Sequence, residues 1–191
     1  MTALAQKKEA ILEGERAFAN AIGAAVFEKP QVTFWMVLIP ILFLHFIYRM
    51  EKFKSGRMKF DEEFMVTRRR AMDAALNALA ANVPLDRGEL IRDSGLPAPL
   101  QEPYGAWVGT LADHYGDLLS AEGESFPSLA RAAYGNRTNF LLTMNRLNTV
   151  EREFYAALKP HLDTAGAADI IATIESHSQR LRREQAEAIF G

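Results

Sequence analysis

No cysteine occurs in the 191 residues. That excludes disulfides, zinc–thiolate sites, iron–sulfur ligation and thiol catalysis. The chain also lacks a phosphate-binding glycine loop, a Gly-x-Ser-x-Gly nucleophile elbow and any internal repeat. Ser, His and Asp are present but without the spacing of a nucleophile and its base, so no reaction and no cofactor can be read from the sequence. No stretch alternates apolar and polar residues with a period of two, and a sheet is not expected.

A surplus of positive charge is missing as well. The formal net charge is −2, but its distribution is uneven. Residues 1–48 are neutral, with four Lys/Arg and four Asp/Glu, whereas residues 49–59 carry five cations against Glu51. Residues 60–191 hold 13 Lys/Arg and 19 Asp/Glu. An acidic body of this kind argues against free nucleic acid as a partner, because phosphate binding needs a basic surface.

What the sequence does have is one long apolar run. Val32–Tyr48 is seventeen residues without a formal charge, eleven of them Val, Leu, Ile or Phe. Those eleven favour membrane insertion by about 3–7 kcal/mol in sum, before His45 and Pro40 subtract. A cleavable signal peptide does not fit, since four glutamates precede the run and RMEKFKSG after it offers no small-residue cleavage site. The run is apolar on every side, unlike the striped helix of a soluble core. A transmembrane helix kinked at Pro40 is therefore expected. A re-entrant fold-back at Pro40 or an interfacial helix, and a buried core helix, are the alternatives, because seventeen residues give about 25 Å against about 30 Å of hydrocarbon.

On this reading Trp35, Pro40, Phe43 and Tyr48 face the membrane, with Trp35 and Tyr48 near the interfaces. Arg49, Lys52, Lys54, Arg57 and Lys59 form a basic collar that meets lipid headgroups or fixes topology. Six Lys/Arg follow the run within about 20 residues and two precede it, so the expected topology is a single pass with the C-terminal domain cytoplasmic.

The rest of the chain reads as helices. Leu4, Ile11, Phe18, Ile22 and Val26 share a face of an N-terminal segment, with Lys8 and Glu15 interrupting the stripe. This segment suits a membrane surface or a partner. Further helices are expected near 60–82, 87–94, 103–121, 126–134, 136–158 and 166–189. Asp86 with Glu89 and Asn136 are predicted caps. Three stripes define the core: Tyr104, Trp107, Val108, Leu111, Tyr115 and Leu118; Phe140, Met144, Leu147, Phe154 and Leu158; and Ile170, Ile174, Leu181 and Ala188.

The expected architecture is all-α, with one N-proximal transmembrane helix plus a small C-terminal helical bundle. Its parts are an amphipathic segment (1–31), the transmembrane helix (32–48), a basic juxtamembrane segment (49–59) and the bundle (60–191). Arg68, Glu151, His114 and His177 fall on or beside apolar stripes, where polar groups should seek one another. The bland reading is a structural network, with Arg68 and Glu151 as a pair. The sharper one is an acid/base or metal site built from Glu151, His114 and His177. No Glu-x-x-His motif of the di-iron bundles is present to support it.

RGELIRDSGLPAPLQEPYGAW has the outline of a helix-turn-helix. Its would-be recognition helix carries Pro99 and Pro103 and no cation, which argues against DNA reading. The Asn/Arg-rich GNRTNFLLTMNRLN offers either a solvated face or a protein-contact surface. The function expected is a membrane-anchored cytoplasmic adaptor or accessory subunit, with membrane lipid and an unidentified protein as partners. A membrane-surface enzyme and an anionic-lipid-binding module are the alternatives.

Overall fold

Periodic apolar stripes broken by Gly and Pro produce helices throughout the computed structural model, which describes residues 2–27, 56–92, 94–161 and 167–191. Among these there are seven α-helices and no strand. They are α1 (Ala3–Phe27), α2 (Gly56–Ala81), α3 (Arg87–Arg92), α4 (Ala98–Ser120), α5 (Phe126–Tyr134), α6 (Arg137–Leu158) and α7 (Ala167–Phe190). The expected membrane helix Val32–Tyr48, with Trp35, Pro40, Phe43 and Tyr48, lies outside the described residues. So do Arg49, Lys52 and Lys54 of the collar. Among the described residues no helix is long and apolar enough to cross a membrane.

The local signals explain most boundaries. Asp86 Oδ1 accepts from the backbone N–H groups of Gly88 and Glu89, starting α3. Asn136 Oδ1 accepts from Asn139 N–H at 2.9 Å, starting α6. Gly135, at φ +70°, closes α5 in a conformation that a side chain would strain. The α4 start differs from expectation: the helix begins at Ala98, five residues before Pro103. Pro97 and Pro99 occupy the cap and first turn, where N–H groups have no helical partner anyway. Pro103 then removes a single bond from a helix that continues through it.

The α4 and α6 stripes are buried, and Trp107 stacks on Phe154 with ring centroids 5.2 Å apart. Gly105 lets α3 approach α4, since a Cβ there would lie 2.5 Å from Ile91 Cδ1.

α1 is the main departure from the expected organisation. Ile11, Phe18, Ile22 and Val26 are buried in the same core as Met72, Leu111, Phe140 and Ile174. The amphipathic segment is thus a member of the bundle, because its apolar face finds α2, α4, α5 and α7 to cover it. Burying four such side chains stabilises by about 6–12 kcal/mol as an upper bound, comparable with the whole stability of a domain. Along α1, Lys8, Glu15 and Phe18 meet Asp73, Arg68 and Phe64 in turn. Rising numbers on one helix meet falling numbers on the other, so α1 and α2 run antiparallel.

Candidate functional site: two buried ionic joints

Glu15 breaks the apolar stripe of α1 and Arg68 breaks that of α2, and the two interruptions face each other. Arg68 Nε donates to Glu15 Oε2 at 2.8 Å, and its Nη1 donates to the Phe64 carbonyl at 3.4 Å. The guanidinium lies 3.7 Å from the Phe64 ring centroid and 5.6 Å from that of Phe18. Burial works against its charge, yet Glu15, with Tyr115 and Glu151, holds it protonated above the usual arginine range.

The second joint links α6 and α7. Arg182 Nη1 donates to Glu151 Oε2 at 2.7 Å and to Asn148 Oδ1. Its guanidinium lies 5.4 Å from the Phe18 centroid, so one phenyl ring borders both arginines. Arg68 and Glu151 are therefore both buried, but the expected pair between them is corrected: each has a different partner. Each takes the opposite charge on the helix it packs against, Glu15 on α1 and Arg182 on α7.

Arg182 also corrects the α7 stripe. The buried positions are Ile171, Thr173, Ile174, Ser178, Arg182, Ala186 and Ile189, whereas Ile170 and Leu181 are only half-buried and Ala188 is exposed. Neutralising Glu151 outweighs burying one more leucine at this register.

His114 is buried, with Nδ1 2.5 Å from the Tyr134 hydroxyl. Burial, then the nearby Arg182 charge, lowers its pKa to about 3. Tyr134 is in turn raised by burial and by Asp117, while Asp117 is raised by burial and by Asp113. His177 is half-buried and accepts from Arg180 Nη2 on its own helix at 2.9 Å. A cavity of about 20 Å³, enough for about one water, reaches His114, Glu15, Arg68 and Arg182. A wider cleft of about 240 Å³ reaches Glu151 together with Asn148, Arg152 and Glu175. Neither joins Glu151 to a histidine, so the three candidates do not converge. Each candidate instead meets another partner: His114 meets Tyr134, His177 meets Arg180 and Glu151 meets Arg182. No cluster of three potential metal ligands occurs among the described residues.

Glu151 Oε1 and Ser178 Oγ are buried without a hydrogen-bond partner among the described residues. Arg57 and Lys59 fall in the first turn of α2, at the end where α1 finishes. On the outer face of α6, Leu142 is 71% exposed beside exposed Asn139, Asn145 and Arg146.

The network residues that sequence reasoning missed are Glu15 and Arg182. Glu15 was visible as a stripe interruption at Ile11, Glu15, Phe18, Ile22. Arg182 was hidden beside Leu181. No family model, curated protein or solved structure matches this chain.

Proposed function

We propose that the protein is a membrane-anchored helical adaptor or accessory subunit, holding its bundle at the cytoplasmic face and acting by binding another protein. The observation that carries this reading is the uncharged run Val32–Tyr48 joined to a bundle whose buried charges are committed to one another. The cationic collar supports the cytoplasmic side, since Lys and Arg flanking a membrane segment stay inside. Anchoring raises the local concentration of a partner at the membrane.

The exposed Leu142 within the Asn/Arg face of α6 is the surface best suited to that partner, offering an apolar anchor inside a polar rim. The protein should sediment with membranes, resist alkaline washing and copurify in mild detergent with one stoichiometric protein. Leu142→Asp should lower partner recovery about tenfold or more while the helical content stays unchanged. A clean monomer from the native membrane would overturn the adaptor reading.

A further inference from the structure

We infer that α1 and the rest of the bundle lie on one side of the bilayer, so that the chain enters the membrane and leaves it by the same face. This rests on the membrane-anchor reading above and replaces the expected single pass.

α1 and α2 pair antiparallel along their length. Phe18 and Phe64 stack with centroids 6.3 Å apart, and Glu15 and Lys8 meet Arg68 and Asp73 at 2.8 and 2.6 Å. From the Phe18–Phe64 level, α1 has nine residues left before Phe27, and α2 begins eight residues earlier at Gly56. At 1.5 Å per residue both helix ends lie about 12–14 Å beyond that level, in the same direction. The two described helix ends that bracket the apolar run, Phe27 and Gly56, therefore lie at one end of the shared core.

A complete crossing is incompatible with those ends. If Val32–Tyr48 traversed the bilayer, the eight steps from Tyr48 to Gly56 would have to bring the chain back. Fully extended they reach at most about 29 Å, against about 30 Å of hydrocarbon alone. They would also carry Arg49, Glu51, Lys52 and Lys54 through lipid. The remaining route to a single pass is to strip α1 from the bundle.

Its contacts oppose that. Besides α2, α1 sends Lys7 Nζ to the Leu119 carbonyl at 3.1 Å and packs Gly14 against Phe126. Phe18 borders Arg182 on α7. Stripping α1 would expose Ile11, Phe18, Ile22 and Val26 and leave Arg68 without its carboxylate partner. Of the readings the sequence leaves open for a membrane segment, the re-entrant or interfacial one keeps both ends on one side.

The absence of cysteine makes the test direct. Thr2→Cys and Gly191→Cys sit at exposed positions of the full chain. Each variant is expressed in cells, its presence in the membrane pellet is checked, and a membrane-impermeant maleimide is applied before and after permeabilisation. Both cysteines should be protected together or labelled together. In the same membranes, a Lys8→Cys, Asp73→Cys double variant should be closed by a short bismaleimide into a species of altered mobility. A pelleted chain with Thr2→Cys and Gly191→Cys on opposite faces would overturn the same-face topology and leave the anchor standing. Failure of the double variant to crosslink in membranes would also overturn it. A chain recovered in the soluble fraction would overturn the anchor itself, and this inference with it.

Discussion

Among the described residues two arginines are buried, and the regions that hold them differ. At the α6–α7 joint the side chains of Arg182 and Glu151 are 4% and 3% exposed, so both charged groups are almost wholly covered, although a cleft of about 240 Å³ reaches Glu151. At the α1–α2 joint Arg68 is 2% exposed but Glu15 is 13% exposed, and the one-water cavity beside them is shared with Arg182. Arg68 also keeps a backbone carbonyl and the Phe64 face when its carboxylate is set aside. The α6–α7 joint holds Arg182 by its ion pair and Asn148, whereas Arg68 has a backbone carbonyl and a phenyl ring at 3.7 Å besides its carboxylate. Distances of 2.7 and 2.8 Å thus conceal unequal dependence on one carboxylate.

The largest expected effect follows from removing that carboxylate at each joint. Glu151→Ala strands Arg182 in the interior and should destabilise by about 3–5 kcal/mol. Glu15→Ala should destabilise by about 2–3 kcal/mol, because the carbonyl and ring of Phe64 remain for Arg68. Urea unfolding of the detergent-solubilised protein measures both. Equal losses, or a larger loss for Glu15→Ala, would erase the distinction. Replacing both charges at once, as Glu151→Leu with Arg182→Met, should recover most of the loss, since an apolar pair of similar volume needs no desolvation.

How far these joints were legible depends on what a stripe records. α4 and α6 carry apolar residues at nearly every inward position, so Trp107, Leu111, Phe140 and Phe154 could be placed from spacing alone. α7 carries Ser178 and Arg182 inward and Leu181 at the margin, and hydropathy chose the neighbouring register. The same blindness affected α1, where Glu15 counted against an amphipathic helix although it marks the place where Arg68 docks. Which helix faces which is a long-range choice that no local pattern encodes, and so Arg68 was assigned the wrong glutamate. The α4 start was missed for a different reason: proline is a breaker inside a helix but is harmless in its first turn.

Acid should act through His114, which adjoins Arg182. The folded ring stays neutral down to about pH 3, held there first by burial and then by the Arg182 charge. The unfolded ring takes its proton near pH 6.5, so between these values the unfolded state binds more protons. Stability should be unaffected above about pH 6.5 and fall below it, by at most about 1.4 kcal/mol per pH unit. By pH 4.5 the native protein should have lost about 2–3 kcal/mol that His114→Gln does not lose. Unfolding curves of the two at pH 7 and pH 4.5 measure the difference. Parallel losses would show that His114 is not the acid-sensitive group.

The smallest effect contrasts the ends of the helices that build the two joints. α6 starts at Asn136, whose side chain accepts from Asn139 N–H at 2.9 Å in the chain interior, between α5 and the α6 core. α1 starts beside Thr2, whose hydroxyl accepts from Ala5 N–H at a longer 3.3 Å. A cap near a chain end closes a turn that frays without disturbing the core. Asn136→Ala should therefore cost about 1 kcal/mol, and Thr2→Ala a few tenths, on the order of 0.3 kcal/mol. Hydrogen exchange separates the cases: Asn136→Ala should accelerate amides along α6 as far as the Glu151 turn, whereas Thr2→Ala should accelerate only the first turn of α1. If Thr2→Ala instead loosened the Glu15 turn, α1 would be held by its cap more than by its buried face, and the case for its firm seat in the bundle would weaken.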